Sequence, residues 1–231
     1  MNSPWIFPDK AKFGRVVPKN KIYEHSAASV GLKSLFVEQV DQILWAYKLS
    51  PNTLNIPHTS EISEIQVFSV KLKGDEVDNS VLKAIDLAIP FPILFEVWGA
   101  SGEQGHYAAC YKRKAENDQS KWVCSHYLRS EIFNSGEALT VNSEVLGLPT
   151  AIDMEELYQK LLARLLSIPK RPAESIEDVI ERLVAIKTLE KQIAQLKKKM
   201  HAEKQFNRKV EMNTACRKLR EELEQLKKDN K

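Results

Sequence analysis

Four residues in the middle of the chain, His106, Cys110, Cys124 and His126, are of the types that ligate zinc. Their spacing within each pair is even, so on strands each pair shares one face. A hairpin centred near Asn117 would set Cys110 opposite Cys124, with His126 one step along, and four such ligands satisfy tetrahedral Zn²⁺. The spacing is not that of a zinc knuckle, and buried cysteines and half-exposed histidines are ordinary on strands. The leading expectation is therefore no metal and no cofactor. A second set, Glu38, Glu64, Asp86 and Glu96, offers the oxygens that Mg²⁺ needs and defines an alternative, a metal-dependent nuclease. No Asp or Glu in residues 1–169 is followed two positions later by Lys, so such a site would be non-standard. Lys112, Arg113 and Lys114, near Tyr107, Tyr111 and Trp122, combine charge and stacking surfaces as single-stranded nucleic-acid sites do. The competing reading is a solubilising strand end. Glycine-rich phosphate loops, GxGxxG and GxSxG are absent from the sequence.

These residues sit on a chain whose pattern predicts an α/β (α+β) body, residues 1–149, with a mixed sheet of about four or more strands and flanking helices. Residues 1–20 read as an extended arm. Leu32, Leu35, Phe36, Val40, Ile43 and Leu44 recur at helical spacing and predict one helix over Val30 to Lys48. SPNTLNIP ends it with turn formers. EIQVFSVKLK alternates as a strand, Val81 to Ile89 suits a short helix, and FPILFEVW fits a buried strand. GHYAACYKRK and KWVCSHYLRS form an antiparallel hairpin. A leucine-rich connecting helix follows in residues 150–169, its start signalled by Thr150 and Asp153.

Residues 170–231 predict a basic coiled coil or helical hairpin, opened by Ser175 with Asp178. Ile186, Leu189, Ile193, Leu196 and Met200 step by three and four, as do Cys216, Leu219, Leu223 and Leu226. Sixteen positions separate Met200 from Cys216, which is not a whole number of heptads, so the two seams are not one stripe. The slip falls in Glu203 to Asn213, around Phe206, Asn207, Val210 and Asn213. These seam and slip residues, Cys216 apart, are the expected partner-binding set. A straight rod and a folded-back hairpin both satisfy the pattern.

Charge is divided unevenly. Residues 1–169 carry 17 Lys+Arg against 20 Asp+Glu, whereas residues 170–231 carry 17 against 11. An acidic partner or nucleic acid would therefore meet the tail, although lysine-rich faces of solvated helices are common. Three cysteines do not make a secreted disulfide framework. MNSPWIFPDK is unlike a secretory leader, and the apolar runs are too short to span a bilayer. The expected setting is the cytoplasm, without membrane association.

The strings KNKIYEH, FVEQVDQILWAYKLSPNTLNI, EIQVFSVKLK and LKAIDLAIPFPILFEV, with AEKQFNRKVEMN in the tail, resemble the bacterial domain-of-unknown-function family 4391. The positions that carry the resemblance include Lys21, Trp45, Lys48, Leu49, Thr53, Asn55, Glu64, Ile65, Lys112, Phe206, Asn207 and Asn213. The resemblance implies no established activity. It implies a setting beside a superfamily II helicase and an adenine DNA methylase in restriction- or defence-like islands. The resulting expectation is a non-enzymatic assembly subunit whose partner is itself, a helicase or a DNA methylase. A metal-dependent nuclease and a small nucleic-acid-binding module stand as alternatives.

Overall fold

A computed structural model describes residues 4–26, 28–115, 117–136, 140–141, 144–145 and 147–228. Residues 1–3 of the expected arm and 229–231 of the tail lie outside them. The chain separates into two compact units, Met1–Leu166 and Ser167–Lys231.

The first unit is a mixed α+β fold. Its strands are β1 (Lys12–Val16), β2 (Val40–Leu49), β3 (Ile65–Leu72), β4 (Ile93–Trp98), β5 (Gln104–Ala115) and β6 (Asp118–Arg129), in that spatial order. The short β7 (Phe133–Asn134) pairs with the start of β5. Only β3 and β4 are parallel among these pairs, because the helix between them, α4 (Asn79–Ala88), carries the chain back across the sheet. Helices α1 (Lys19–Ser26) and α2 (Val30–Gln39) precede β2, and a single turn, α3 (Pro51–Leu54), follows it. A two-stranded pair, Thr140–Val141 with Glu144–Val145, precedes α5 (Met154–Ala163).

The predicted helix over Val30 to Lys48 ends at Gln39, and its second half is β2. The reason lies in two register irregularities against β3, at Val40/Gln42 and Trp45/Tyr47. Each bulge inserts a residue and resets the alternation of faces. Val40, Ile43, Ala46 and Leu49 are therefore the buried residues of the strand at a spacing of three, which imitates a helix in the sequence.

Both sheet faces are covered. Phe36 of α2, Val81, Leu82 and Ile85 of α4, and Phe68, Val70, Phe95 and Val97 of the central strands form one core. On the other face Trp5 stacks on Tyr107 at 4.2 Å and Phe7 on Tyr47 at 4.7 Å, so the arm is part of the body. Burial on both sides explains why β3 and β4 are almost wholly inaccessible. The start of α5 is capped by Asp153, whose carboxylate accepts from the Glu156 N–H at 2.8 Å.

The second unit is a two-helix hairpin of α6 (Ile176–Ala202) and α7 (Phe206–Lys227). Ser175 and Asp178 form the expected capping box. Glu203–Gln205 make the reversal, and Glu203 Oε1 accepts from the N–H groups of Lys204 and Gln205 at 2.8 and 2.9 Å. Lys227 donates to Glu190 at 2.7 Å across the pair, which fixes the antiparallel sense. No helix of the described residues is long and apolar enough to cross a membrane.

Candidate functional site

The densest group of chemically capable side chains lies between α4, β5 and β6. Asp86 of α4 and Cys110 and Lys112 of β5 are buried; Cys124 of β6 is half-buried at its edge. One ligand atom from each of Asp86, Cys110 and Cys124 lies within 4.8 Å of the others, and no other such His/Cys/Asp/Glu group occurs among the described residues.

A bulge builds this cluster. Cys110 pairs with Tyr127 and Lys112 with Cys124, so Tyr111 alone stands against Ser125 and His126. The extra residue on β6 breaks the alternation. Cys124 and Tyr127, three apart, both reach the Asp86 side, whereas His126 is exposed. The unpaired backbone groups are taken up locally. Tyr111 N–H donates to Ser125 Oγ at 2.8 Å, Lys112 N–H donates to Tyr158 Oη at 2.9 Å, and that hydroxyl donates to the Cys110 carbonyl at 2.6 Å. Tyr158 of α5 thus holds the bulge open from the opposite side.

Lys112 points its ammonium at the end of α4, donating to the carbonyls of Asp86 and Ile89 and, at 3.0 Å, of Phe91. A cation suits the negative end of a helix dipole. Its three donors are thereby occupied, and Asp86 Oδ1 stands 3.8 Å from Nζ without a hydrogen bond. Asp86 Oδ2 accepts from the Tyr127 hydroxyl and from Cys110 Sγ at 3.5 Å. Burial pushes the Asp86 carboxyl up to about 6, against the pull of Lys112. The Cys110 thiol is pushed upward by its contact with Cys124 and by burial. That same contact draws the Cys124 thiol downward, helped by Lys112 and Lys83.

The other expected sets come apart. His106 is not with the cysteines: its Nε2 meets Arg129 Nη1 at 2.7 Å, and burial with that cation lowers it to about 4, so it is neutral. The four-ligand zinc arrangement of His106, Cys110, Cys124 and His126 is corrected accordingly, with Asp86 standing where a histidine was expected. The four carboxylates do not assemble. Glu38 is exposed on α2, Asp86 lies under α4, and Glu96 is buried on the other sheet face beside Tyr47. Glu64 joins strands: Lys48 Nζ lies 2.8 Å from it, Gln66 Nε2 donates to it at 3.0 Å, and Trp45 Nε1 donates to Gln66 at 2.9 Å. The basic run is also divided. Lys112 is only 1 % exposed and out of reach of a nucleic acid, and Lys114 Nζ donates to the Ser60 carbonyl at 2.9 Å. The first of the three residues that looked like one patch is thus turned inward.

Several family-like positions have structural employment. Thr53 Oγ1 accepts from the Ser50 N–H at 2.9 Å, closing α3, and Asn55 ends it in the left-handed region at φ 57°. In the hairpin, Ile186, Leu189 and Ile193 of α6 and Cys216 of α7 are buried, and Leu196, Met200, Leu219, Leu223 and Leu226 are half-buried. Phe206, Asn207, Val210 and Asn213 are exposed. The partner-binding set therefore divides into a covered seam and an open stripe. Asp86 and Tyr127 were the members of the central cluster that strand spacing missed. A Cys–x–x–Tyr interval on a strand signals Tyr127 only once the bulge is known, and nothing in β6 signals Asp86.

No curated protein and no solved structure matches the chain significantly. The family model described as "Domain of unknown function (DUF4391)" matches residues 6–223, which takes in the sheet, the buried cluster and nearly all of the hairpin. The chain belongs to the DUF4391 family.

Proposed function

We propose that this chain is a non-enzymatic docking subunit of a bacterial DNA-processing system of restriction or phage-defence type, acting in the cytoplasm. Its hairpin serves as a coiled-coil-like arm that takes a helicase or DNA methylase. The DNA-processing setting rests on what the sequence resemblance implies. The observation that carries the docking role is the start of α7, where Phe206 is 77 % and Val210 49 % exposed. They lie four residues apart, with Asn213 three further on, and so share one helical face. An aromatic anchor flanked by Asn207, Arg208 and Lys209 has the composition of an interface centre with a polar, basic rim. The excess of basic residues in this segment favours an acidic partner surface or one that carries nucleic acid. The nuclease reading gains no support from Glu38, Glu64, Asp86 and Glu96, which lie on separate faces.

The test is affinity capture of the tagged full chain from its native host, beside the double variant Phe206→Glu/Val210→Glu, with mass spectrometry of what is retained. Stoichiometric recovery of a helicase or methylase by the wild type, lost in the variant, is the expected result. Recovery of neither by the wild type, or equal recovery by both proteins, overturns it.

A further inference from the structure

We propose that Asp86, Cys110 and Cys124 form a three-ligand site for a thiophilic divalent cation, Zn²⁺ by chemistry, with an open fourth position at the Cys124 edge.

Distance is the first argument. Zinc holds thiolate sulfur at about 2.3 Å and carboxylate oxygen at about 2.0–2.2 Å, so two such ligands at the tetrahedral angle stand about 3.5 Å apart. Cys110 Sγ and Asp86 Oδ2 are 3.5 Å apart, and all three donor atoms fit within 4.8 Å. Ligand type is the second: two thiolates select a soft or borderline cation over Mg²⁺ or Ca²⁺.

Charge is the third. Two thiolates and a carboxylate around a dication leave one negative charge in a buried place. Lys112, fully inaccessible and 3.8 Å from Asp86 Oδ1, supplies the balancing positive charge. The surrounding shell is also in place. Tyr127 donates to one oxygen of Asp86, as second-sphere groups do to ligating carboxylates. Metal binding displaces one proton from each thiol. Half-burial of Cys124 provides the entry path, whereas Asp86 and Cys110 are closed. A three-protein-ligand site with one accessible position is the coordination that keeps a water or an exogenous ligand on the metal.

Titration of the reduced, full-length protein with Co²⁺ tests this directly, because cobalt–thiolate charge-transfer absorption and tetrahedral ligand-field bands report sulfur ligation. One cobalt per chain, displaced by Zn²⁺, is expected. Cys124→Ser, at the half-buried edge where the fold tolerates it best, is expected to abolish the charge-transfer band. Tyr127→Phe keeps the ligands and is expected to weaken binding about tenfold. Circular dichroism confirms that each variant folds. No charge-transfer band in the folded, reduced wild type overturns the assignment, as does a band that survives Cys124→Ser unchanged.

Discussion

Among the carboxylate–cation pairs of the described residues, Asp86–Lys112 in the body and Glu174–Arg182 in the hairpin unit have acids that titrate in opposite directions. In the body, Asp86 faces Lys112 at 3.8 Å, but the ammonium aims its donors at backbone carbonyls, and the carboxyl is pushed up to about 6 by burial. In the hairpin unit, Arg182 Nε and Nη2 donate to the two oxygens of Glu174 at 2.7 and 2.8 Å, and the Arg171 N–H adds a third bond at 2.8 Å. Those bonds, Arg182 first, hold the Glu174 carboxyl down at about 2. Nearness of opposite charge does not decide the sign. Burial and the aim of the cation's donors decide it together: full burial outweighs the hydrogen bonds to Asp86 Oδ2, whereas at the less buried Glu174 the guanidinium's bonds to both oxygens outweigh the lost hydration.

The sharpest way to break the comparison is to remove each cation. Lys112→Met leaves three carbonyls without this donor and Asp86 without a charge partner. It should cost about 3–5 kcal/mol in urea unfolding. Arg182→Met should cost less, about 2 kcal/mol, because Glu174 keeps the Arg171 bond and is partly solvated. Equal or reversed losses would show that donor direction is not what separates the two pairs.

A pH series sharpens it further. The Asp86 carboxyl titrates near 6 folded, against an ordinary 3.8, so between those values the folded state binds the extra proton. Its contribution to stability is complete below the lower value and is lost as pH rises through the upper one, up to about 3 kcal/mol. Glu174 runs the other way: its contribution is present above about 4.5 and is lost as pH falls toward 2. His106, neutral down to about 4, loses its contribution as pH falls from 6.5, opposing Asp86 over part of the same window. Subtracting the profile of Asp86→Asn from that of the wild type, both in chelator, isolates the first effect. A flat difference between pH 4 and 6 would refute it.

The smallest expected effect is a gain. Ala173, beside Glu174, has φ 60°, a conformation that costs a side-chain-bearing residue about 1 kcal/mol and that glycine adopts freely. Ala173→Gly should raise stability by up to about 1 kcal/mol in the same unfolding assay. A loss there would mean that the strain is not borne by this residue.

Much of the fold was legible because it depends on local signals. The alternation in β3, the apolar run of β4, the hairpin of β5 and β6, and the Ser175–Asp178 box each reappear where the pattern placed them. What misled was parity. The bulges in β2 turned a strand into an apparent helix, and the bulge opposite Tyr111 exchanged His126 for Tyr127 at the central cluster. Such irregularities are set by pairing across strands, as when Tyr158, far along the chain, occupies the groups that the bulge frees. Asp86 joined the cysteines through the crossover of α4, a long-range placement that no spacing within β5 or β6 encodes.

The reversal at Glu203–Gln205 gives the tail a freedom that a continuous rod lacks. In a rod, a phase slip of two residues rotates everything beyond it off the contact stripe. After a reversal each arm need match only the arm beside it, and the residues in the bend carry no phase at all. The hairpin is therefore adjustable in steps. One heptad added to α6 and one to α7 would move the exposed Phe206 about 10 Å further from the hairpin's own base while leaving both seams in register. Reach and grip are independent variables in this arm, and relatives that differ in the length of both helices together would be gauges set to different spans.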